Sequence, residues 1–263
     1  LFSYIDSVDD LISIGDGWIN EIPKDFLKPI DSYDFSALKS KKSIKFIEKL
    51  KPKLRNKVLP IGFSPWVMLF RNGDKWLNRA NESWDVLLEE DLRGKIVFPS
   101  SKRIVIDISK KIEMVDSLTR LRKQALTYDD KNSLNWLFSG KALLAIVPLQ
   151  SCLKYLYRDM RLSIAIPKVG SPLNWNILIY PKLSTQKIPI RWIESSYEDP
   201  LLSNLLAQGW IPPMDYDQFL KSILKLPKYY QDMIFTSKES YNRSWSLAPL
   251  SSTDKILYKE KWL

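Results

Sequence analysis

The chain has 263 residues, 45% hydrophobic and 12% aromatic, which is too apolar for a disordered tail and enough for one large core or two moderate ones. It carries a formal charge of +10, holds one cysteine, Cys152, and has no histidine. Intramolecular disulfides, paired-cysteine and histidine metal sites, and every Ser-His-Asp or Cys-His nucleophile are thereby excluded, while carboxylate-only catalysis survives.

Asp10 to Ile14 is predicted as a short strand leading into Gly15-Asp16-Gly17, then a helix or turn through Trp18 and Ile22. Lys39 to Lys57 holds nine basic residues and one acid, Glu48, so this segment carries +8 of the chain's +10. Within it Ile44, Ile47, Leu50 and Leu54 recur at helical spacing until Pro52 disturbs the last turn. Two readings stand: an amphipathic helix with a solvated lysine face, or a patch that meets phosphates or anionic lipid headgroups. Lysine rather than arginine, without interleaved aromatics, argues against specific nucleic-acid readout.

Ile61 to Phe70 reads as extended, and Ser83 as the N-cap of a short helix at Trp84 to Leu88. Lys95 to Phe98 is a predicted strand ending at Pro99-Ser100-Ser101, and a helical stripe follows through Ile104, Ile108, Ile112, Val115 and Leu118. A helix at Asn132 to Phe138 is stopped by Gly140. The strand Leu143 to Val147, a helix marked by Leu153 and Leu156, and the strands Leu162 to Ile166 and Asn174 to Tyr180 complete the alternation. Beyond Pro181 the pattern is mainly helical. Alternating strands and helices predict α/β layers, with helices on both faces of mostly parallel sheets. The extended stretches at Ile61 to Phe70 and Asn174 to Tyr180 are candidate crossings between two lobes. The longest apolar stretch, Ala142 to Val147, is too short to cross a membrane.

Three segments are candidate sites. Gly15-Asp16-Gly17 lies at the carboxyl end of a strand, where open α/β sheets bind ligands, although Asn20 stands where a dinucleotide loop has its third glycine. Ser100, Ser101 and Arg103 open a helix after a strand and could hold an anionic or polar group, or the serines could simply cap the helix. Asn174 and Asn176 share one face of a strand, with Trp175 on the other.

Taken together, these segments resemble the spermidine/putrescine-binding family of solute-binding proteins that serve ABC importers. The resemblance rests on pieces in family order: Ser83-Trp-Asp-Val-Leu87, Leu92-Arg-Gly-Lys-Ile-Val97, Phe138-Ser-Gly-Lys-Ala142, Ile166-Pro-Lys-Val-Gly170 and Gly209-Trp-Ile-Pro-Pro213. It implies an α/β, two-lobed periplasmic-binding-protein architecture of type II. Residues 1–65 and 178–263 would form a first lobe, truncated by two β-α units at its N-terminal side, and residues 66–177 a second. The implied protein is a periplasmic monomer without a membrane span. It needs no cofactor or metal, engages no nucleic acid, captures a small polar solute by hinge closure and docks on ABC permease subunits. The implied ligand residues are Asp16, Trp18, Ser64, Trp66, Ser100, Ser101, Arg103, Gln150, Asn174, Trp175 and Asn176. By the same resemblance Ser101, Ile104 and Asn176 stand where polyamine binders carry acids, and Asn174 and Pro148 where they carry aromatics. That leaves Asp16 as the one acid near the cleft and implies a polyamine-like solute of lower charge, or lost binding. A carboxylate enzyme on the same fold, and a lysine-rich module for anionic surfaces or nucleic acid, are the alternatives.

Overall fold

A computed structural model describes residues 11–30, 40–185, 187–235, 237–249, 256 and 262; Asp10 and Lys39, the starts of two expected elements, lie outside them. The described residues form eight strands: β1 (Ile12–Gly15), β2 (Val58–Arg71), β3 (Ile96–Phe98), β4 (Ala125–Tyr128), β5 (Leu144–Pro148), β6 (Leu162–Ala165), β7 (Pro172–Ile179) and β8 (Trp245–Ser246). The long β2 holds the molecule together. Its run Val-Leu-Pro-Ile-Gly-Phe-Ser-Pro-Trp-Val-Met-Leu-Phe is buried along nearly its whole length, which explains why it lacks the alternation of a half-exposed strand.

From Val58 to Pro65, β2 pairs with β7; from Trp66 onward it pairs with β5 and β6 in a second sheet. Both of its prolines sit where a missing N–H does little harm. Pro60 borders a register shift before Gly62, and Pro65 stands at the change of sheet. The first sheet runs β1-β7-β2, with β8 alongside β7; the second runs β6-β2-β5-β3-β4. The returning chain changes sheets over 166–171, and β7 stays in the first sheet throughout, so the expected boundary at 177/178 falls inside β7.

The sheets are mixed rather than mostly parallel. All contacts of β2, and that of β1 with β7, are antiparallel; β3 with β4, β3 with β5, and β7 with β8 are parallel. A strand that leaves one lobe and a strand that returns run in opposite directions where they meet, and this imposes the antiparallel pairs. The helical stripe expected from Ile104 to Leu118 is broken into helices Lys102–Ser109 and Ser117–Gln124, and β4 follows directly.

Along β2, Trp66, Met68 and Phe70 face one apolar cluster, while Val67 and Leu69 face another. The second cluster continues through Leu149 and Leu153 to Phe63, Trp175 and Ile177, so the two sheets share one core. The turn into β7 needs glycine: Gly170 has φ +92°, and a Cβ there would lie 2.4 Å from the backbone of Arg243. Its carbonyl accepts the indole N–H of buried Trp84 at 2.9 Å.

The lysine-rich segment forms helix Lys41–Glu48, capped by the Ser40 hydroxyl on the Ser43 N–H. Its anchor is Phe46, stacked on Trp175 at 4.8 Å, and that anchor turns Ile44, expected inside, toward solvent. Two lysines also face inward. Lys42 Nζ donates to the Ser244 carbonyl at 3.0 Å, and Lys49 Nζ donates to that of Ser246. Burial, and secondarily the charge of Lys45, push the Lys42 amine down to about 8. A lysine with a depressed folded-state pKa stabilises the fold fully above its unfolded value and loses that contribution as pH falls through about 8. Between about pH 7 and about pH 10 wild-type stability should therefore rise relative to Lys42→Met, by up to about 3 kcal/mol. Denaturant midpoints at the two pH values check this; parallel slopes would show that the amine is solvated.

Candidate cleft at the strand ends

A cavity of about 460 Å³ opens where the carboxyl ends of β1, β3, β4 and β5 converge. From the first sheet come Asp16, Trp18 and Glu21, on the 3-10 helix Asp16–Glu21 that follows β1, and Asn174 from β7. From the second come Trp66, Ser101, Arg103, Asp130, Ser133 and Ser151. Ile104, Ile146, Val147 and Pro148 form the apolar part of the wall.

The strongest contact in the cleft joins the two sides. Arg103 Nη2 donates to Asp16 Oδ2 at 3.0 Å, and both side chains are almost wholly buried. Arg103 Nη1 donates to the Ala248 carbonyl at 3.2 Å. Burial lifts the Asp16 carboxyl above its ordinary value, opposed by the charge and hydrogen bond of Arg103 and by the backbone N–H groups of Trp175 and Asp16. Neither glycine beside Asp16 makes a close approach: a Cβ on Gly17 would meet nothing nearer than 3.8 Å, on Gly15 nothing nearer than 4.0 Å.

The expected cap at the start of helix Lys102–Ser109 is absent, because Ser101 makes no side-chain capping bond and faces the cavity instead. Ser100 stands behind the wall. Its N–H donates to Asp130 Oδ1 at 3.1 Å, and its hydroxyl accepts the Asp130 N–H at 3.3 Å, so the loop after β3 is tied to the loop after β4. Trp18 is 48% exposed and Trp66 7%, so the cleft has one open indole and one recessed.

Besides Ser100, four expected ligand residues do not reach the cavity. Trp175 is fully buried, between Phe46 and Phe63, and its indole N–H donates to Ser246 Oγ at 2.8 Å. Asn176 accepts from the Ser13 hydroxyl at 2.8 Å and lines a separate apolar cavity of about 290 Å³ beside Trp192 and Trp210. Ser64 is buried, and its hydroxyl accepts the Gln150 N–H at 3.0 Å. Gln150 lies beside Gly209, outside the cleft, with its side-chain oxygen buried.

Glu21 and Asp130 were missed, and they change the electrostatics. Asp16 is not the one acid near the cleft: three carboxylates and one guanidinium line it, a net charge of −2 inside a chain of +10. Glu21 lies one turn beyond Trp18 on the same short helix. Asp130 was hidden because no element was assigned between Leu118 and Asn132; the strand Ala125–Tyr128 places the following loop at a strand end.

Cys152 is buried away from the cleft, its thiol donates to the Leu149 carbonyl at 3.4 Å, and burial pushes its pKa far up. Asp16 is committed to Arg103. Among the described residues no group of three or more His, Cys, Asp or Glu could hold a metal ion, and no helix is long and apolar enough to cross a membrane.

Two α/β lobes joined by a continuous crossing strand, with a cleft at the strand ends, define a two-lobed type II periplasmic-binding-protein fold. Solved structures agree. The chain is similar to the substrate-binding protein of the spermidine/putrescine ABC transporter of Streptococcus pneumoniae, with TM-score 0.70 and 14% identity over 98% of this chain and 83% of that one. The PotD lipoprotein of Treponema pallidum matches with TM-score 0.66 and 13% identity over 96% and 82%. A eukaryotic thiaminase-I bound to the thiamin analogue 3-deazathiamin matches with TM-score 0.59 and 13% identity over 97% and 82%. No family model and no curated protein sequence matches the chain. At these identities the likeness carries the fold, and function must be argued from the cleft.

Proposed function

We propose that the chain is the solute-binding subunit of an ABC importer, a monomer outside the cytoplasmic membrane that captures a small organic cation and presents it to permease subunits. The observation that carries this reading is the cleft: an indole on each side, Trp18 and Trp66, and two carboxylates beyond the Asp16–Arg103 pair. An aromatic face and a carboxylate together suit an ammonium group on a short methylene chain, which gains from both the ring quadrupole and charge pairing. Capture would bias the lobes toward closure by the solute's greater affinity for the closed arrangement.

Thermal shift against putrescine, spermidine, butylamine and glutamate tests the reading. A solute at about 100 times its dissociation constant adds roughly 2.7 kcal/mol of stability. The amines should raise the melting temperature, singly charged butylamine the most, and glutamate should not; a shift with glutamate alone would reverse the charge assignment. Glu21→Gln and Asp130→Asn should each weaken amine binding about fivefold, or ~1 kcal/mol, measured by calorimetry. The enzyme alternative would have to rest on Glu21 and Asp130, because Asp16 is paired with Arg103.

A further inference from the structure

The Asp16–Arg103 pair is more than a contact between two sides of a cleft. Asp16 projects from the short helix after β1, in the first sheet; Arg103 projects from the helix after β3, in the second. Their side chains meet 87 residues apart in sequence, in the deep and nearly dry part of the cavity. There a carboxylate is costly unless a cation faces it, and a guanidinium supplies planar donors that match it. Backbone N–H groups of Trp175 and Asp16 also point to this carboxylate, so it is held in place independently of Arg103.

We infer that Asp16 is a cation subsite and that Arg103 is its resident, tethered cation, which sets the charge of the solute the cleft accepts. Because Arg103 fills the deep subsite, the other carboxylates that line the cleft among the described residues are Glu21 and Asp130, both exposed. One ammonium group can be paired there without disturbing the deep subsite. A second, reaching inward, meets a carboxylate already occupied and a guanidinium of its own sign. The cleft thus selects against a long dication in favour of a singly charged solute. The specificity part of this inference rests on the cleft being the solute site; the subsite itself does not.

Arg103→Ala vacates the subsite, so a free cation of the same shape should refill it. Melting temperature is measured with about 10 mM methylguanidinium and with methylurea, its neutral counterpart, for wild type, Arg103→Ala and Asp16→Asn/Arg103→Ala. Methylguanidinium should raise the melting temperature of Arg103→Ala by about 5 °C more than that of wild type. Methylurea should do nothing, and the double variant should not respond. If Arg103→Ala does not fold unaided, refolding yield with each additive gives the same comparison. Equal responses to methylguanidinium and methylurea, or an unchanged response in the double variant, would overturn the inference. Failure of this rescue leaves amine binding by the wild type intact, and a wild type that binds no amine still leaves the rescue readable.

Discussion

Arg103→Ala is expected to cost about 3–5 kcal/mol at neutral pH, because it strands a buried carboxylate rather than merely deleting a contact. Asp16 and Arg103 are both nearly inaccessible, so water cannot replace the lost partner cheaply. The loss should also depend on pH. A carboxyl whose folded-state pKa lies above its unfolded value stabilises the fold in acid and loses that effect as pH rises through the folded value. Asp16 is already raised by burial, and Arg103 is the one charged group that holds it down. Without Arg103 the carboxyl rises further, so the deficit should be largest near neutrality and shrink as the pH falls and Asp16 takes up a proton. Urea midpoints of wild type and variant across this range check the sign. A deficit that grows in acid would show that Asp16 is stabilised as a carboxylate by groups other than Arg103. Asp16→Asn/Arg103→Ala should recover part of the loss at neutral pH, since no buried charge remains.

Trp175→Ala should be as damaging, about 3–5 kcal/mol, for a different reason. Trp175 fills the centre of the shared core, stacks on Phe46, touches Phe63, and donates to Ser246. Its removal leaves a cavity and loosens both the lysine-rich helix and the segment around β8. Trp175→Phe keeps most of the packing and loses the hydrogen bond, so about 1–2 kcal/mol is expected. Because the residue lies in the core, the phenylalanine variant should bind amines as tightly as wild type when measured by calorimetry. A selective loss of binding with little loss of stability would return Trp175 to the cleft wall.

These two residues show what a sequence can and cannot reveal. The crossing strand was legible because β2 is apolar along its length, although Pro60 put its expected start at Ile61, three residues after the observed start at Val58. Asp16, Trp18, Trp66, Ser101, Arg103 and Asn174 were legible as cleft residues because strand ends converge in this architecture. The Asp16–Arg103 bond was not, since it links side chains from different sheets and no local pattern encodes such a meeting. Trp175 and Asn176 were misplaced because alternation along β7 tells which residues share a face, but not what covers it. Asn174 opens on the cleft, and Asn176, two residues on, opens on another cavity. Parallel order was expected for most strands because strand-helix alternation implies it within a lobe; the crossings between lobes reverse direction, and the antiparallel pairs follow from them.

If one solute is held between the two lobes, hydrogen exchange with and without saturating butylamine will show it. Exchange should slow in both lobes at once, in 15–21 on one side and in 101–104, 130–133 and 146–151 on the other. Protection confined to one lobe, or to the lysine-rich helix at 41–48, would contradict it.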